Sequence, residues 1–333
     1  MKITYLGAGA WGFCLARLLA EKGHDVTSWS IEHALVDTLN KTHVHPNLKG
    51  RPIKESVRFT TNLAEALDGA ELIVESVTSA GLRPVCKQLL ALGLPSNIPF
   101  CLTSKGIEQN SGLILPEVIV DVMGEQYQNS ICSFSGPSFA EEVSQNLPTS
   151  VVAGAYDPKV AEIVADAFTT SFLRVYPNRD IRGVAFGGSL KNVIAIACGI
   201  SDGLNLGNGA RAALMTRGLH EIVKLAKHYG AKQETLYGLS GMGDLFLTCS
   251  STTSRNYSFG KLLSQGSSAS DAKNSIEMVV EGAYTCVSAV QLGKKSGISM
   301  PICETVLQIL EGKIHPLEAV QLLMQRNIKE EPL

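Results

Sequence analysis

The chain opens by passing from one hydrophobic period into another. Residues 2–6 form an apolar extended run, and from Ala10 the apolar positions recur at helical spacing as far as Lys22, where Gly23 predicts a C-terminal stop. The same alternation repeats downstream. Residues 25–30 alternate like a second strand, and residues 41–62, rich in Pro, Lys, Arg and Asn, read as a connection with one short strand near 57–59. A helix over 63–67 leads into the buried-strand pattern 71–77, then a helix over 81–92 and a short strand over 99–103. Strand patterns at 130–135, 149–153 and 172–176, with a helix beginning near Pro158, complete the first half. These spacings predict right-handed βαβ units and a Rossmann-type, mostly parallel sheet.

Beyond residue 185 convincing strands stop. Helical patterns cover 189–199, 210–229, 232–237, 257–264, 270–276, 281–296, 302–311 and 316–324, and the tail after Arg326 reads as frayed. The expected architecture is therefore α/β followed by all-α. Residues 1–185 form a dinucleotide-binding domain and residues 186–333 a helical substrate-binding domain, joined between 178 and 188.

With 333 residues, 45% hydrophobic and 18% charged, the chain can bury the cores of two domains. A formal net charge of -2 offers no basic field, which argues against a nucleic-acid partner. The apolar N-terminus could be a secretory signal, but its glycines, Arg17 and the lack of a small-x-small site before Glu21 argue against that. No uncharged 18-residue stretch has the composition of a membrane span; the nearest, 184–201, carries Lys191 and glycines in its middle. The eight cysteines form no C-x-x-C pair and read as small core residues in a reducing cytosol, with neither disulfides nor a metal site expected. The seven histidines lack metal spacing and read as surface residues, His43 and His45 lying in a Pro-bearing loop.

Between the first strand and helix, Gly7, Gly9 and Gly12 give G-x-G-x-x-G. The first glycine allows a tight turn, the second the approach of a pyrophosphate, the third close packing of helix on strand, with the helix N-terminus facing the phosphates. Glu32, after the second strand, is either a ribose ligand favouring NAD or a solvated carboxylate at a helix start. Ser79, Ser104 and Lys105 follow strands and so fall on the cofactor side of the sheet. Lys191 is the lone charge between Arg182 and Asp202, in a helix apolar on most faces. Such a lysine is either desolvated, with a lowered pKa suited to proton exchange, or snorkels from the first helical turn. Asp244 in Gly241-Met242-Gly243-Asp244 and Arg255 in Ser254-Arg255-Asn256 are either a turn aspartate and a surface charge, or the carboxylate and the anion-binding fork of a site. Gly207-Asn208-Gly209 reads as a helix-to-helix loop.

Taken in order, Gly7-Ala8-Gly9-Ala10-Trp11-Gly12, Ser104-Lys105-Gly106-Ile107-Glu108, Ser135-Gly136-Pro137-Ser138-Phe139-Ala140, Lys191-Asn192-Val193, Gly241-Met242-Gly243-Asp244-Leu245, Ser254-Arg255-Asn256 and Val279-Val280-Glu281-Gly282 resemble the serial motifs of bacterial NAD(P)-dependent glycerol-3-phosphate dehydrogenases. The resemblance implies Lys191 as proton donor and acceptor and Lys105 as a second catalytic lysine touching both cofactor and substrate. It implies cofactor contacts from Gly7, Gly9, Ala10, Trp11, Gly12, Lys105, Ala140, Arg255, Val279 and Glu281. Substrate contacts would come from Lys105, Gly136, Ser138, Lys191, Asp244, Ser254, Arg255 and Asn256. The cofactor is NAD or NADP, the substrate pair dihydroxyacetone phosphate and glycerol 3-phosphate, and the product feeds phospholipid synthesis in the cytoplasm, from a homodimer. Three departures bear on cofactor choice and phosphate binding: Ala10 and Thr78 replace a usual hydroxyl residue and a usual proline, and Ile31 stands where a basic residue is frequent. A hydroxy-acid dehydrogenase of related two-domain build, or a non-catalytic dinucleotide-binding redox sensor, are the alternatives.

Overall fold

The opening folds as its periodicity predicts. Strand β1, Lys2–Leu6, is buried from Ile3 onward, and helix α1, Ala10–Glu21, follows without a side-chain cap. Gly23, at φ +93°, ends α1: its N–H bonds the Ala20 carbonyl at 3.0 Å and that of His24 bonds the Leu19 carbonyl at 3.2 Å, the Schellman pattern.

The computed structural model describes residues 1–48, 50–276, 279–327 and 330. The tail expected to fray lies, apart from Asn327 and Glu330, outside them. Strands β2 to β8 are Asp25–Trp29, Arg58–Thr60, Leu72–Glu75, Phe100–Leu102, Ile131–Ser135, Thr149–Ala155 and Leu173–Asn178. Among them lie α2 (His33–Thr42), α3 (Leu63–Leu67), α4 (Ser79–Ala91), α5 (Leu115–Met123), α6 (Ala140–Ser144) and α7 (Pro158–Phe168). The eight strands form one sheet in the order β3-β2-β1-β4-β5-β6-β7-β8. It is parallel except where β6 meets β7. Strand order reverses at β1, between β2 and β4, so the ligand crevice of this sheet opens beyond Leu6 and Glu75. One face packs α1 and α7 around Phe13, Leu15, Phe134 and Phe168; the other packs α4 and α5 around Ile73, Leu82, Phe100 and Ile119.

The rest of the fold is helical: α8 (Ile181–Gly203), α9 (Gly207–His228), α10 (Gln233–Leu236), α11 (Asp244–Ser250), α12 (Arg255–Ser264), α13 (Ala269–Ser275), α14 (Glu281–Ser296), α15 (Pro301–Leu310) and α16 (Pro316–Met324). Its core is centred on α8, buried from Gly183 to Ser201 and surrounded by α9, α11, α12 and α14.

Several expectations are corrected. Helix α8 starts at Ile181, not near residue 189, because Asp180 caps it, accepting from Gly183 N at 2.9 Å, and its glycines are packing sites rather than breakers. By length and an 18-residue stretch of mean hydropathy 1.5 it could cross a bilayer, unlike the reading of residues 184–201, yet that stretch is wholly buried. Gly207-Asn208-Gly209 is the first turn of α9, where Arg211 donates to Asn208 Oδ1 at 2.7 Å, rather than a loop. His45 is not a surface residue: its ring lies 5.5 Å from that of Phe13, and its Nδ1 accepts from Asn47 N at 3.1 Å. Helices α5, α6 and α11 have no counterpart among the predicted elements. All eight cysteines are buried.

Candidate active site

The Gly7–Gly12 turn lies at the switch point. Gly7 adopts φ +105° and donates to the Trp29 carbonyl at 2.8 Å, tying the turn to β2. A Cβ at Gly7 would lie 2.8 Å from the Ser76 carbonyl oxygen, and one at Gly12 2.1 Å from that of Gly7, so the protein's own packing demands both glycines. Gly9 differs: a Cβ there would meet no protein atom within 4 Å, so the protein's own packing does not demand it and the space beside it is open. Above it α1 begins with no side-chain cap and no acidic residue in its first turn. Ala10 and Trp11 border this open space half-buried. These residues fit the pyrophosphate of a dinucleotide. Glu32 stands exposed at the N-cap of α2, beyond Ser30, the helix-start position foreseen as its alternative.

Lys105 follows β5 and reaches toward the helical half. Its Nζ donates to Asp244 Oδ2 at 2.6 Å and to the Gly136 carbonyl at 3.4 Å. Lys191 of α8 donates to Asp244 Oδ1 and, at 2.8 Å, to Thr248 Oγ1. A single carboxylate with no solvent exposure thus bridges two ammonium groups. Glycines bring the pieces this close. A Cβ at Gly187 would lie 2.6 Å from the Ser240 carbonyl oxygen, and one at Gly188 2.5 Å from Ser135 Oγ. Residues Leu239–Gly243 form one π-helical turn, closed by Gly243 N to Gly238 O at 3.1 Å, which aims Asp244 at α8.

Burial lowers the Lys191 pKa to about 8; the Asp244 charge opposes that fall and the Lys105 charge adds to it. The desolvated reading of Lys191 therefore holds over the snorkelling one, since only 6% of the residue is exposed.

A second cluster lies where α12 and α14 begin. Glu281 Oε2 accepts from Ser79 Oγ at 3.1 Å, joining the start of α4 to that of α14. Burial raises the Glu281 carboxyl above its ordinary range. Arg255 is exposed at the first position of α12, with the Glu281 charge among its neighbours. Asn256 Oδ1 accepts from Gly282 N at 2.9 Å, while the buried Ser254 caps α12 by accepting from Tyr257 N at 3.3 Å. Val279 is exposed just before this cluster. Ser138 Oγ donates to the Gly136 carbonyl at 3.1 Å, and the Ala140 carbonyl accepts from Cys14 Sγ, which places the start of α6 against α1.

Sequence reasoning missed Thr248 and Glu75. Thr248 stands one helical turn after Asp244, a spacing that was there to be read. Glu75 is a fully buried acid closing an apolar strand.

A doubly wound sheet with a pyrophosphate turn at its switch point, facing a helical half that delivers a buried lysine of lowered pKa, defines a two-part nicotinamide-dinucleotide dehydrogenase. Comparison with known proteins narrows the class. The family described as NAD-dependent glycerol-3-phosphate dehydrogenase matches through its N-terminal part over residues 2–161 and its C-terminal part over residues 180–321. A protein of Protochlamydia amoebophila named glycerol-3-phosphate dehydrogenase (NAD(P)+) is 58% identical over 332 residues, covering 100% of this chain and 99% of its own. One of the same name from Chlamydia abortus is 51% identical with the same coverage. The crystal structure of glycerol-3-phosphate dehydrogenase from Coxiella burnetii superposes with a TM-score of 0.93 at 38% identity, over 98% of this chain and 99% of that one. The chain belongs to the NAD-dependent glycerol-3-phosphate dehydrogenase family.

Proposed function

We propose that this protein interconverts dihydroxyacetone phosphate and sn-glycerol 3-phosphate, with Lys191 as the proton donor and acceptor. The observation that carries the reading is the buried Lys191–Asp244–Lys105 bridge. Bound NAD(P)H supplies the hydride to C2 of the ketone. As negative charge grows on the carbonyl oxygen, Lys191 Nζ delivers a proton to it and Lys105 stabilises what charge remains. With a pKa of about 8, Lys191 is mostly protonated at neutral pH yet gives its proton up readily; in the reverse direction the neutral amine takes the alcohol proton. Asp244 keeps Lys191 charged in a site that would otherwise neutralise it.

Arg255 and Asn256 hold the phosphate, with Ser254, Gly136 and Ser138 around the rest of the substrate, so binding at the non-reacting end orients the reacting carbon. Gly7, Gly9, Ala10, Trp11, Gly12, Lys105, Ala140, Arg255, Val279 and Glu281 hold the dinucleotide. Residues 1–185 carry most cofactor contacts and residues 186–333 most substrate contacts, α8 running through the junction. A homodimer in the cytoplasm, supplying glycerol 3-phosphate for phospholipid synthesis, completes the proposal.

The test is one steady-state absorbance assay, following NADH and NADPH in parallel with dihydroxyacetone phosphate and with a panel of keto acids. Turnover of the phosphorylated ketone alone is expected. Preference for a keto acid would make Arg255 a carboxylate clamp instead, and binding of NADH without turnover of any ketone would leave a sensor.

A further inference from the structure

Strand β4 ends on a carboxyl group that the reaction above does not use. Glu75 has no solvent exposure and shares its face of the sheet with Ile73, above the core formed by Leu82, Phe100 and Leu102. An acid in such a place is tolerated only when its oxygens are bonded. Both are: Oε1 accepts from Val77 N at 2.6 Å, and Oε2 is 2.6 Å from Ser104 Oγ.

These two bonds join different segments. Val77 belongs to the turn between β4 and α4, whereas Ser104 immediately precedes Lys105. Backbone bonds add to the join, with Thr103 N donating to the Glu75 carbonyl at 2.9 Å and Thr103 Oγ1 at 2.8 Å. On the far side of Lys105, Gly106 N donates to Ser189 Oγ of α8 at 3.0 Å, while the single proton of that hydroxyl has two acceptors in reach, the Gly106 carbonyl at 2.9 Å and the Ala185 carbonyl of its own helix at 2.6 Å. The backbone carrying Lys105 is thus clamped at both neighbours, by a carboxyl group of the sheet and a hydroxyl group of the helical half.

We propose that Glu75 is a positioning residue for Lys105: it fixes the chain at Ser104 so that the Lys105 ammonium meets Asp244 and the reacting oxygen. The proposal rests on the reading of Lys105 as a group that touches the substrate. Burial raises the Glu75 carboxyl to about 8, so near neutral pH it is mainly the protonated acid. The groups on its own face are the Ser104 hydroxyl, Cys86 of α4 and Glu281 of α14; Cys101 and the Tyr5 hydroxyl lie across the sheet, and the hydroxyl chain of Tyr5, Ser76 and Thr103 ends on the Glu75 backbone carbonyl rather than on its carboxyl group. Glutamine has the shape and hydrogen-bonding pattern of that neutral acid: its carbonyl accepts from Val77 N and its amide donates to Ser104 Oγ.

The experiment compares Glu75→Gln, Glu75→Leu and Ser104→Ala in the full-length protein. Wild-type turnover of dihydroxyacetone phosphate tests the reaction, while amide hydrogen exchange over residues 103–106 and NADH binding by fluorescence test the clamp whether or not turnover occurs. Glu75→Leu is expected to lower kcat about tenfold or more, with the KM for NADH changed less than about twofold and faster exchange over 103–106. Glu75→Gln restores both kcat and exchange protection. Ser104→Ala breaks the same bond from the other end, serves if Glu75→Leu does not fold, and is expected to lower kcat in the same sense. Wild-type kcat and exchange in Glu75→Leu or in Ser104→Ala would overturn the proposal. So would a loss in Glu75→Gln equal to that in Glu75→Leu, or a loss confined to the KM for NADH.

Discussion

Replacing Asp244 by Asn removes the charge that two ammonium groups share. Asp244 has no solvent exposure, and the side chains it bridges, Lys191 and Lys105, are only 8% and 17% exposed. At an effective dielectric of about 20, a charge pair roughly 4 Å apart is worth about 4 kcal/mol, or about three pKa units. Water entering beside Lys105 screens part of this, so the Lys191 pKa should fall by about one to three units. The sign is fixed by the neighbours: burial and Lys105 both push the pKa down from its ordinary value, and Asp244 is the main opposing charge. From about 8, the value would drop to between about 5 and 7. At pH 7 the protonated fraction of Lys191 would go from about nine in ten to about one in ten for a two-unit shift. The assay is the pH profile of kcat for reduction of dihydroxyacetone phosphate. Wild-type activity should fall above about pH 8, where the donor loses its proton. In Asp244→Asn that limb should move below pH 7, with partial recovery of rate near pH 6. An alkaline limb unmoved in the variant would refute the assignment of Lys191 as donor and of Asp244 as the group that keeps it charged.

Lys191→Ala should slow turnover by about two to four orders of magnitude while leaving NADH fluorescence titrations unchanged, since general acid catalysis has that range. Gly9→Ala should leave the melting temperature unaltered and raise the KM for the dinucleotide, because the new Cβ meets no protein atom within 4 Å. Gly12→Ala should do the opposite, losing about 1–3 kcal/mol of stability in denaturant titrations through the clash with the Gly7 carbonyl oxygen. Arg255→Ala should raise the KM for dihydroxyacetone phosphate about tenfold or more with a much smaller change in kcat; unaltered substrate kinetics would remove it from the phosphate clamp.

What could be read from the chain was local. The β1 to α1 passage, the three glycines and the Gly23 stop all depend on neighbouring residues, and they fold as read. For Lys191 the pattern showed only a lone charge in an apolar helix and left burial and snorkelling both open; the structure gives burial. Its partners were not visible. Asp244 is 53 positions from Lys191 and 139 from Lys105, and no local period links them. Glycines misled in α8: Gly187 and Gly188 look like breakers, although they are the surfaces on which the Asp244 turn and Ser135 rest. In α5 the β-branched run of Val118, Ile119, Val120 and Val122 argues for a strand, and only packing against the sheet makes it a helix. Glu75 was read as part of an apolar strand, since of the two bonds that make its burial tolerable one comes from Ser104, 29 positions on.

The same α8 that carries Lys191 poses a problem of timing during synthesis. Between Arg182 and Asp202 it carries Lys191 as its single charge, and its cover comes from α9, α12 and α14, the last of which ends at Ser296. A ribosome adding about 5–20 residues per second releases α8 several seconds before α14 is complete. Through that interval the nascent chain presents a helix that satisfies the length and hydropathy of a bilayer span, with the sheet in front of it already able to fold. Ribosome-bound chains ending between about residues 240 and 280, long enough for α8 to have left the exit tunnel, should therefore recruit chaperones, or partition into added vesicles, in a way that the finished chain does not.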